Sequence, residues 1–135
     1  FLGTFFVLTD VTGTGEYMNW DQLKEMSLAG MKIEVHGRTH LDLTKMTAAQ
    51  MTSQVKGARE AIQTRLGADS KFYSYPSGRY NDDVIGHVKS NGFLAAVTVN
   101  HGTEHTVQKA FELKRVRIDG RDGFSVFARK LGESP

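Results

Sequence analysis

Two histidines lie four positions apart, where an apolar segment gives way to a polar one. Met31, Ile33 and Val35 predict a buried strand that ends at His36, and His40 follows in the loop. Neutral imidazole is the commonest protein ligand of a metal such as zinc, and two histidines at this spacing can converge on one ion if the loop turns both rings to one side. The same spacing also suits two unrelated loop residues, so a divalent-metal site is a hypothesis that the rest of the chain has to support.

Length and composition narrow the class of protein. A chain of 135 residues is the size of one domain with its own core, and a single domain over residues 1–135 is predicted. The 17 basic and 15 acidic residues are spread along the chain and give a net charge of +2, which argues against a nucleic-acid partner. The absence of cysteine excludes disulfides and thiolate metal ligands. No segment has the composition of a membrane span or of a signal peptide.

Apolar periodicity and turn residues predict alternating strands and helices. Strands are predicted at 4–9, 32–35, 72–75, 93–99 and 113–118. Helices are predicted to begin at the capping residues Asn19, Thr47 and Asn81 and to end before Gly30, at Gly67 and at Asn91-Gly92, with a last short helix at 124–131. This alternation is typical of a parallel sheet whose helices cover its outside.

The polar residues of interest all follow predicted strand ends. Asp10 follows the first strand, His36 and His40 follow the second, and the turn at Pro76 follows the third. In parallel α/β folds, whether open or closed into a barrel, ligands bind beyond the carboxyl ends of the strands. We therefore expect these residues to share one rim of the sheet.

Four segments occur in an order that carries a family resemblance. They are the strand Thr4-Phe5-Phe6-Val7, the helix 20–26, His36 to His40 with Leu41-Asp42-Leu43 after it, and Tyr75-Pro76-Ser77-Gly78-Arg79-Tyr80-Asn81. From Thr4 to about Ile118 the chain resembles the polysaccharide deacetylases of carbohydrate esterase family 4, the NodB-type domain. The resemblance implies an α/β fold, a distorted (β/α) barrel of the polysaccharide deacetylase type. It also implies a hydrolase that removes N-acetyl groups from an acetylated polysaccharide such as chitin or peptidoglycan, with a divalent metal, zinc in the first place, as cofactor and a secreted or cell-envelope location.

The resemblance assigns roles to individual residues. His36 and His40 would be the two histidine ligands of an Asp-His-His metal site. The backbone N–H of Ser77 would be the oxyanion donor, and Tyr75, Pro76 and Ser77 would line the substrate. The family's third motif is usually Arg-x-Pro-aromatic, and here Ser74 and Ser77 stand in the places of the arginine and the aromatic residue. A main-chain donor survives this change of side chain, whereas the support of the arginine does not.

Two catalytic groups of the family have no match in this chain. The Asp-Asp motif that supplies the general base and the third ligand would lie one strand and one helix before Thr4, and Leu113-Lys114-Arg115 stands where a Leu-x-His motif would supply the general acid. Asp10 is a candidate replacement for the missing aspartate, and the alternative is that it caps its local loop. His101 and His105 are candidate replacements for the missing acid, and the alternative is that both are exposed loop residues. Arg79 is either a replacement for the missing arginine or a solvated turn residue.

The missing motif leads to two expectations. The barrel would be N-terminally truncated, with its first strand and helix absent, and the chain by itself would have little or no activity. The sheet would then have an open edge beside residues 4–9, where the chain would self-associate or retain a cleaved N-terminal peptide. The alternative is a non-catalytic carbohydrate-binding or scaffold domain derived from a deacetylase, and an Asp-Asp pair upstream of Phe1 would distinguish the two.

Overall fold

Five parallel strands and four α-helices make up the computed structural model, which describes residues 2–132. The strands are β1 (Thr4–Val7), β2 (Lys32–Val35), β3 (Phe72–Ser74), β4 (Ala95–His101) and β5 (Leu113–Arg115). They lie in the sheet in the order of the chain, and each pairs in parallel with the next. The helices are α1 (Trp20–Leu28), α2 (Ala48–Leu66) and α3 (Asp82–Ser90), which connect β1 to β4, and α4 (Phe124–Lys130), which follows β5. Parallel neighbours need such crossover connections, so the predicted alternation is confirmed.

The helices begin and end where the cap residues require. Asn19 accepts from the backbone N–H of Gln22, and the Gln22 side chain accepts from that of Asn19, so α1 begins with a capping box. Thr47 and Gln50 form the same reciprocal pair at the start of α2, and Gly67 ends α2 in the left-handed conformation with φ 67°. The sequence predicts each of these boundaries. No helix within residues 2–132 is both long and apolar enough to cross a membrane.

The core lies between α2 and the centre of the sheet. The inward stripe of α2 consists of buried apolar residues, Met51, Val55, Ala58 and Ile62. It packs in one cluster with Val35 of β2 and Tyr73 of β3, which are both 0% exposed. His36 comes directly after Val35 in the chain, so the first histidine is attached to a fully buried strand end.

A buried carboxylate completes the pairing of β2 with β3. The two strands share only the register pair Val35 and Tyr73. Glu34 of β2 is 4% exposed, and its Oε2 accepts from the backbone N–H groups of Lys71 and Phe72 at 2.7 and 2.8 Å. Burial raises the pKa of Glu34, and the two N–H donors oppose this rise. A side chain thus replaces ladder hydrogen bonds at the start of β3.

Four of the five strands differ in their bounds from those predicted, among them β3, which ends at Ser74. β1 ends at Val7 because the N–H groups of Thr9 and Asp10 bond to the loop that follows β2 rather than to a strand. β4 covers 95–101 and β5 ends at Arg115, and their register shifts between Val97 and His101. These strand ends depend on pairing with the neighbouring strand, and the local sequence does not indicate where that pairing stops.

The first strand is less buried than a core strand. Within residues 2–132, β1 pairs with β2 alone and forms one edge of the sheet. Phe5 is consequently 42% exposed, although its residue type predicted a core position.

Candidate active site

His36 follows β2 directly and is held by the ends of both neighbouring strands. Its backbone N–H donates to Val7 O at 2.9 Å, and its ring Nδ1 lies 2.7 Å from the carbonyl oxygen of Ser74 at the end of β3. A carbonyl oxygen only accepts, so Nδ1 carries the hydrogen and Nε2 keeps a free lone pair. Burial lowers the pKa of His36, and the ring is therefore neutral near pH 7.

The second histidine lies against the first. The ring centroids of His36 and His40 are 5.0 Å apart, with their planes at 60°. His36 is half-buried and His40 is exposed. Two adjacent imidazoles, one with its Nδ1 hydrogen fixed by a carbonyl oxygen, suit two ligands of a divalent metal. No group of three His, Cys, Asp or Glu side chains within residues 2–132 is placed to hold a metal, so the pair accounts for two protein ligands and no more.

The loop between the two histidines is fixed on both sides. Arg38 Nε donates to the two carboxylate oxygens of Asp10 at 3.0 and 3.1 Å. On the other side, Gln54 of α2 accepts from the backbone N–H groups of Arg38 and Thr39. The interpretation of Asp10 as a cap of its own loop is therefore wrong, because the long side chain of Arg38 reaches it from the neighbouring strand end.

A second ion pair joins the histidine loop to the turn at Pro76. Asp42 Oδ1 accepts from the N–H and the hydroxyl of Thr44 at 3.1 and 2.6 Å, and Oδ2 accepts from Arg79 Nη1 at 2.7 Å. These bonds lower the pKa of Asp42 to about 2, with the Thr44 hydroxyl as the largest cause and Arg79 as the second. Arg79 is thus an ion-paired residue of the turn.

The turn after β3 presents a backbone N–H at the rim. Ser77 and Gly78 both have positive φ, 54° and 67°. A Cβ on Gly78 would lie 2.3 Å from Val99 Cγ2, so only glycine fits there. Ser77 is exposed, and its N–H bonds to no acceptor among residues 2–132. This N–H is available to a ligand.

The two residues before Ser77 lie in the core. Tyr75 is 1% exposed, its hydroxyl donates to Phe111 O at 3.0 Å, and its ring stacks on Tyr80 with centroids 5.0 Å apart. Pro76 is also fully buried. Their part in substrate binding stays a prediction, and it concerns the backbone of the turn rather than these two buried side chains.

The remaining candidates lie around β4 and β5. His101 ends β4 and His105 follows in the loop, and both are exposed. Arg115 Nε donates to Thr98 O at 2.7 Å, and the charge of Arg115 is one of the smaller causes that lower the pKa of His36. An arginine stays protonated at neutral pH, so Arg115 supplies a cation near the pair but no acid.

An apolar cavity of about 300 Å³ opens beside His36. Its lining is made mostly of aliphatic and aromatic residues, among them Phe6, Val7, Leu8, Met18 and Leu23. An apolar wall beside the imidazole favours its neutral form.

Two residues that organise the rim were not predicted from the sequence. Gln54 falls three positions after Met51 and four before Ala58, inside the apolar stripe of α2, and a polar residue there needs a partner. That mismatch was a usable signal. The sequence around Asp42 contained no such signal, because its partner Arg79 lies 37 positions away.

Known proteins of one family resemble this chain in sequence and structure. A family profile described as polysaccharide deacetylase matches residues 2–96. The chain is 29% identical over 115 residues to YxkH of Bacillus subtilis (strain 168). The aligned residues cover 85% of this chain and 41% of YxkH. The structure of the Streptococcus pyogenes deacetylase PplD in complex with acetate has a TM-score of 0.89 at 26% identity, over 94% of this chain and 57% of that one. BC0361, a polysaccharide deacetylase from Bacillus cereus, gives a TM-score of 0.87 at 25% identity, over 95% of this chain and 41% of that one.

The likeness covers nearly all of this chain and part of each relative. The chain spans 41% of the length of YxkH and 57% of that of PplD. The structural matches confirm the predicted α/β fold of the deacetylase type. The single domain over residues 1–135 and the absence of a first strand and helix stay predictions.

Proposed function

Because the chain belongs to the polysaccharide deacetylase family, we propose that it serves to remove N-acetyl groups from an acetylated polysaccharide. The observation that carries the proposal is the histidine pair, with rings 5.0 Å apart and Nε2 of His36 left free by the bond to Ser74. The N–H of Ser77 follows β3, the neighbour of β2, and lies at the same end of the sheet. From the family resemblance we propose chitin or peptidoglycan as the type of polymer and a secreted or cell-envelope location.

His36 and His40 would hold a divalent metal, and zinc suits imidazole ligands. A metal bound there would supply Lewis acidity and lower the pKa of a bound water. The Ser77 N–H would donate to the acetamide oxygen as that oxygen gains negative charge. Burial lowers the pKa of His36, which favours the neutral ring whose lone pair a metal would bind.

Within residues 2–132, no residue has been placed as a general base. The carboxylates of Asp10 and Asp42 are each paired with an arginine, and the candidate acids His101 and His105 are both exposed. Loss of a general base commonly lowers rates by about 10²- to 10⁴-fold. We therefore propose that the chain by itself turns over acetylated sugars slowly.

Zinc titration of the purified chain tests the metal site. The wild-type chain is expected to bind one zinc ion, and the double variant His36→Ala, His40→Ala is expected to lose it. His101→Ala, His105→Ala is the matched control, because these histidines have the same spacing and are both exposed. Equal affinity in the wild type and the first variant, or equal loss in both variants, would contradict the assignment.

A non-catalytic carbohydrate-binding domain is the second candidate. It is favoured by the finding that no three potential ligands converge within the described part of the chain. Acetylated chito-oligosaccharides incubated with the chain and zinc distinguish the two functions. Release of acetate that depends on His36 and His40 supports the hydrolase, whereas binding of the oligosaccharide without release of acetate supports the alternative.

A further inference from the structure

A side chain of α2 fixes the loop between the two histidines, and we propose that Gln54 is a positioning residue for the His36–His40 metal pair. The proposal rests on the proposed function, since it concerns the same pair. Gln54 acts through the backbone of Arg38 and Thr39, the two residues that lie between Gly37 and His40.

Three hydrogen bonds join Gln54 to this loop. Its Oε1 accepts from the backbone N–H of Arg38 at 3.1 Å and from that of Thr39 at 3.0 Å, and its Nε2 donates to Thr39 Oγ1 at 3.0 Å. One carbonyl oxygen binds two successive N–H groups only if the chain curls around it. The curl begins at Gly37, where φ is 97° and a Cβ would lie 3.4 Å from both Gln54 Oε1 and the Tyr73 hydroxyl. The loop and the Gln54 amide are therefore closely fitted to each other.

The core does not account for a glutamine at this position. Gln54 lies among the apolar residues Met51, Val55 and Ala58 of α2 and is half-buried. A partly buried amide is costly unless its polar atoms are bonded. All hydrogen bonds that the Gln54 side chain makes within residues 2–132 go to the histidine loop.

Two backbone bonds also hold the start of the loop, since Thr9 and Asp10 donate their N–H groups to the carbonyl oxygens of Gly37 and Arg38. Arg38 bonds to Asp10 and to Ser53 through its guanidinium. The side chains of Arg38 and Asp10 are 41% and 37% exposed, so water competes for this pair. Gln54 is the side chain that binds the N–H groups of Arg38 and Thr39. Its loss would leave these two N–H groups without their acceptor, and the part of the loop that carries His40 would be held less firmly.

Groups that orient metal ligands from behind commonly change metal affinity by about 10- to 100-fold when they are removed. We expect Gln54→Ala to weaken zinc binding within this range. Gln54→Glu should keep most of the affinity, because a carboxylate accepts both N–H groups and the hydrogen of the Thr39 hydroxyl. Gln54→Met keeps the length of the side chain without a carbonyl acceptor and should behave as Gln54→Ala does.

Zinc affinity of the purified chain, measured in competition with a chromophoric chelator, tests the proposal. Gln63→Ala is the matched control, since Gln63 lies on the same helix and is exposed. Amide hydrogen exchange at Arg38 and Thr39, followed by NMR without metal, is the second measurement. It should become faster in Gln54→Ala and Gln54→Met and stay unchanged in Gln54→Glu and Gln63→Ala.

The outcomes separate this role from the proposed function. Wild-type zinc binding that persists undiminished in Gln54→Ala and Gln54→Met would overturn the role of Gln54 and leave the histidine pair in place. Equal weakening in Gln54→Met and Gln54→Glu would also overturn it, because the acceptor would then be irrelevant. A wild-type chain that binds no zinc would overturn the metal pair and this role together. If Gln54→Ala does not fold, the difference in zinc affinity between Gln54→Met and Gln54→Glu tests the role of Gln54.

Discussion

Asp42 and Arg79 join the two segments that carry the candidate site residues. Asp42 follows His40 by two positions, and Arg79 follows Ser77 by two. Their contact of 2.7 Å therefore holds the histidine loop against the turn that presents the Ser77 N–H. The Arg79 side chain is 59% exposed, so we assign the pair to orientation rather than to a large share of the stability.

We expect Arg79→Ala to raise the pKa of Asp42 from about 2, yet to leave it below the ordinary value of 3.8, because the bonds from Thr44 remain. A carboxyl whose pKa is lower in the folded state stabilises the fold above the unfolded pKa, and this contribution is lost as the pH falls toward 2. NMR titration of the carboxyl carbon measures the change. Arg121→Ala is the control, since Arg121 pairs with Asp119 instead. An unchanged pKa of Asp42 in Arg79→Ala would show that the ion pair does not form in solution.

Partners that are close in sequence could be predicted, and partners that the fold brings together could not. The pairing of His36 with His40 follows from their spacing once the strand end is known. The Ser74 carbonyl that fixes the His36 tautomer lies 38 positions away, and no local pattern indicates it. For the same reason Asp10 was assigned to its own loop, although it bonds to Arg38 28 positions later.

At the level of elements, the junction of β2 with β3 depends on Glu34. Its carboxylate binds two backbone N–H groups in place of a longer ladder. Glu34→Ala should destabilise the chain by about 1–3 kcal/mol, because two backbone N–H groups lose a charged acceptor. Glu34→Gln keeps a carbonyl oxygen and should cost less. Urea denaturation at pH 7 measures both, and equal stability of Glu34→Ala and the wild type would contradict this role.

The same residue gives a pH dependence of stability. Burial raises the pKa of Glu34 above its ordinary value of 4.5, so the folded chain holds this proton more tightly than the unfolded chain does. The free energy of unfolding should therefore decrease as the pH rises through the window directly above 4.5, and Glu34→Gln should lack this decrease. Glu60→Gln is the control, because the Glu60 side chain is 63% exposed. The same pH dependence in Glu34→Gln and the wild type would refute the assignment.

The turn after β3 requires glycine at its last position. In Gly78→Ala the new Cβ would meet Val99 at a positive φ, and the two effects together should cost at least about 2 kcal/mol. Gly86→Ala is the matched variant. Gly86 lies in α3, and a Cβ added there meets no atom within 4 Å. This variant should stabilise the chain by about 0.5–1 kcal/mol. Chemical denaturation compares them. Similar stability of the two variants would mean that the turn relaxes away from Val99.

Helix ends could be predicted more closely than strand ends. Asn19, Thr47 and Gly67 act through bonds to residues within four positions, so the sequence contains both partners. The ends of β1, β4 and β5 are set by neighbouring strands and loops far along the chain. The β2 to β3 junction was missed for this reason, since Glu34 and Phe72 are 38 positions apart.

For the whole molecule, the order of motifs was sufficient to predict the family and the fold. Each strand pairs with the next in sequence, so alternation along the chain translates directly into the order of the sheet. The match of the family profile over residues 2–96 confirms the resemblance drawn from four short segments. The open edge beside residues 4–9 was expected only from the missing motif, because Phe5, Phe6 and Val7 have core residue types while β1 has a strand on one side only within residues 2–132.

This edge leads to a prediction about association. Phe5 of β1 is 42% exposed, and Leu2, which precedes β1 in the chain, is 68% exposed. An apolar edge strand with unpaired backbone groups favours pairing with a second chain, so we expect the purified chain to self-associate as its concentration rises. Phe5→Lys should shift the equilibrium toward monomer, since a charge on an edge strand opposes pairing. Val107→Lys adds the same charge at a site that is 87% exposed and away from β1, and it should leave the equilibrium unchanged.

Light scattering over a concentration series measures the mass, and denaturing mass spectrometry detects a retained peptide in place of a second copy. A monomer without peptide at every concentration, or equal effects of the two variants, would contradict pairing at this edge.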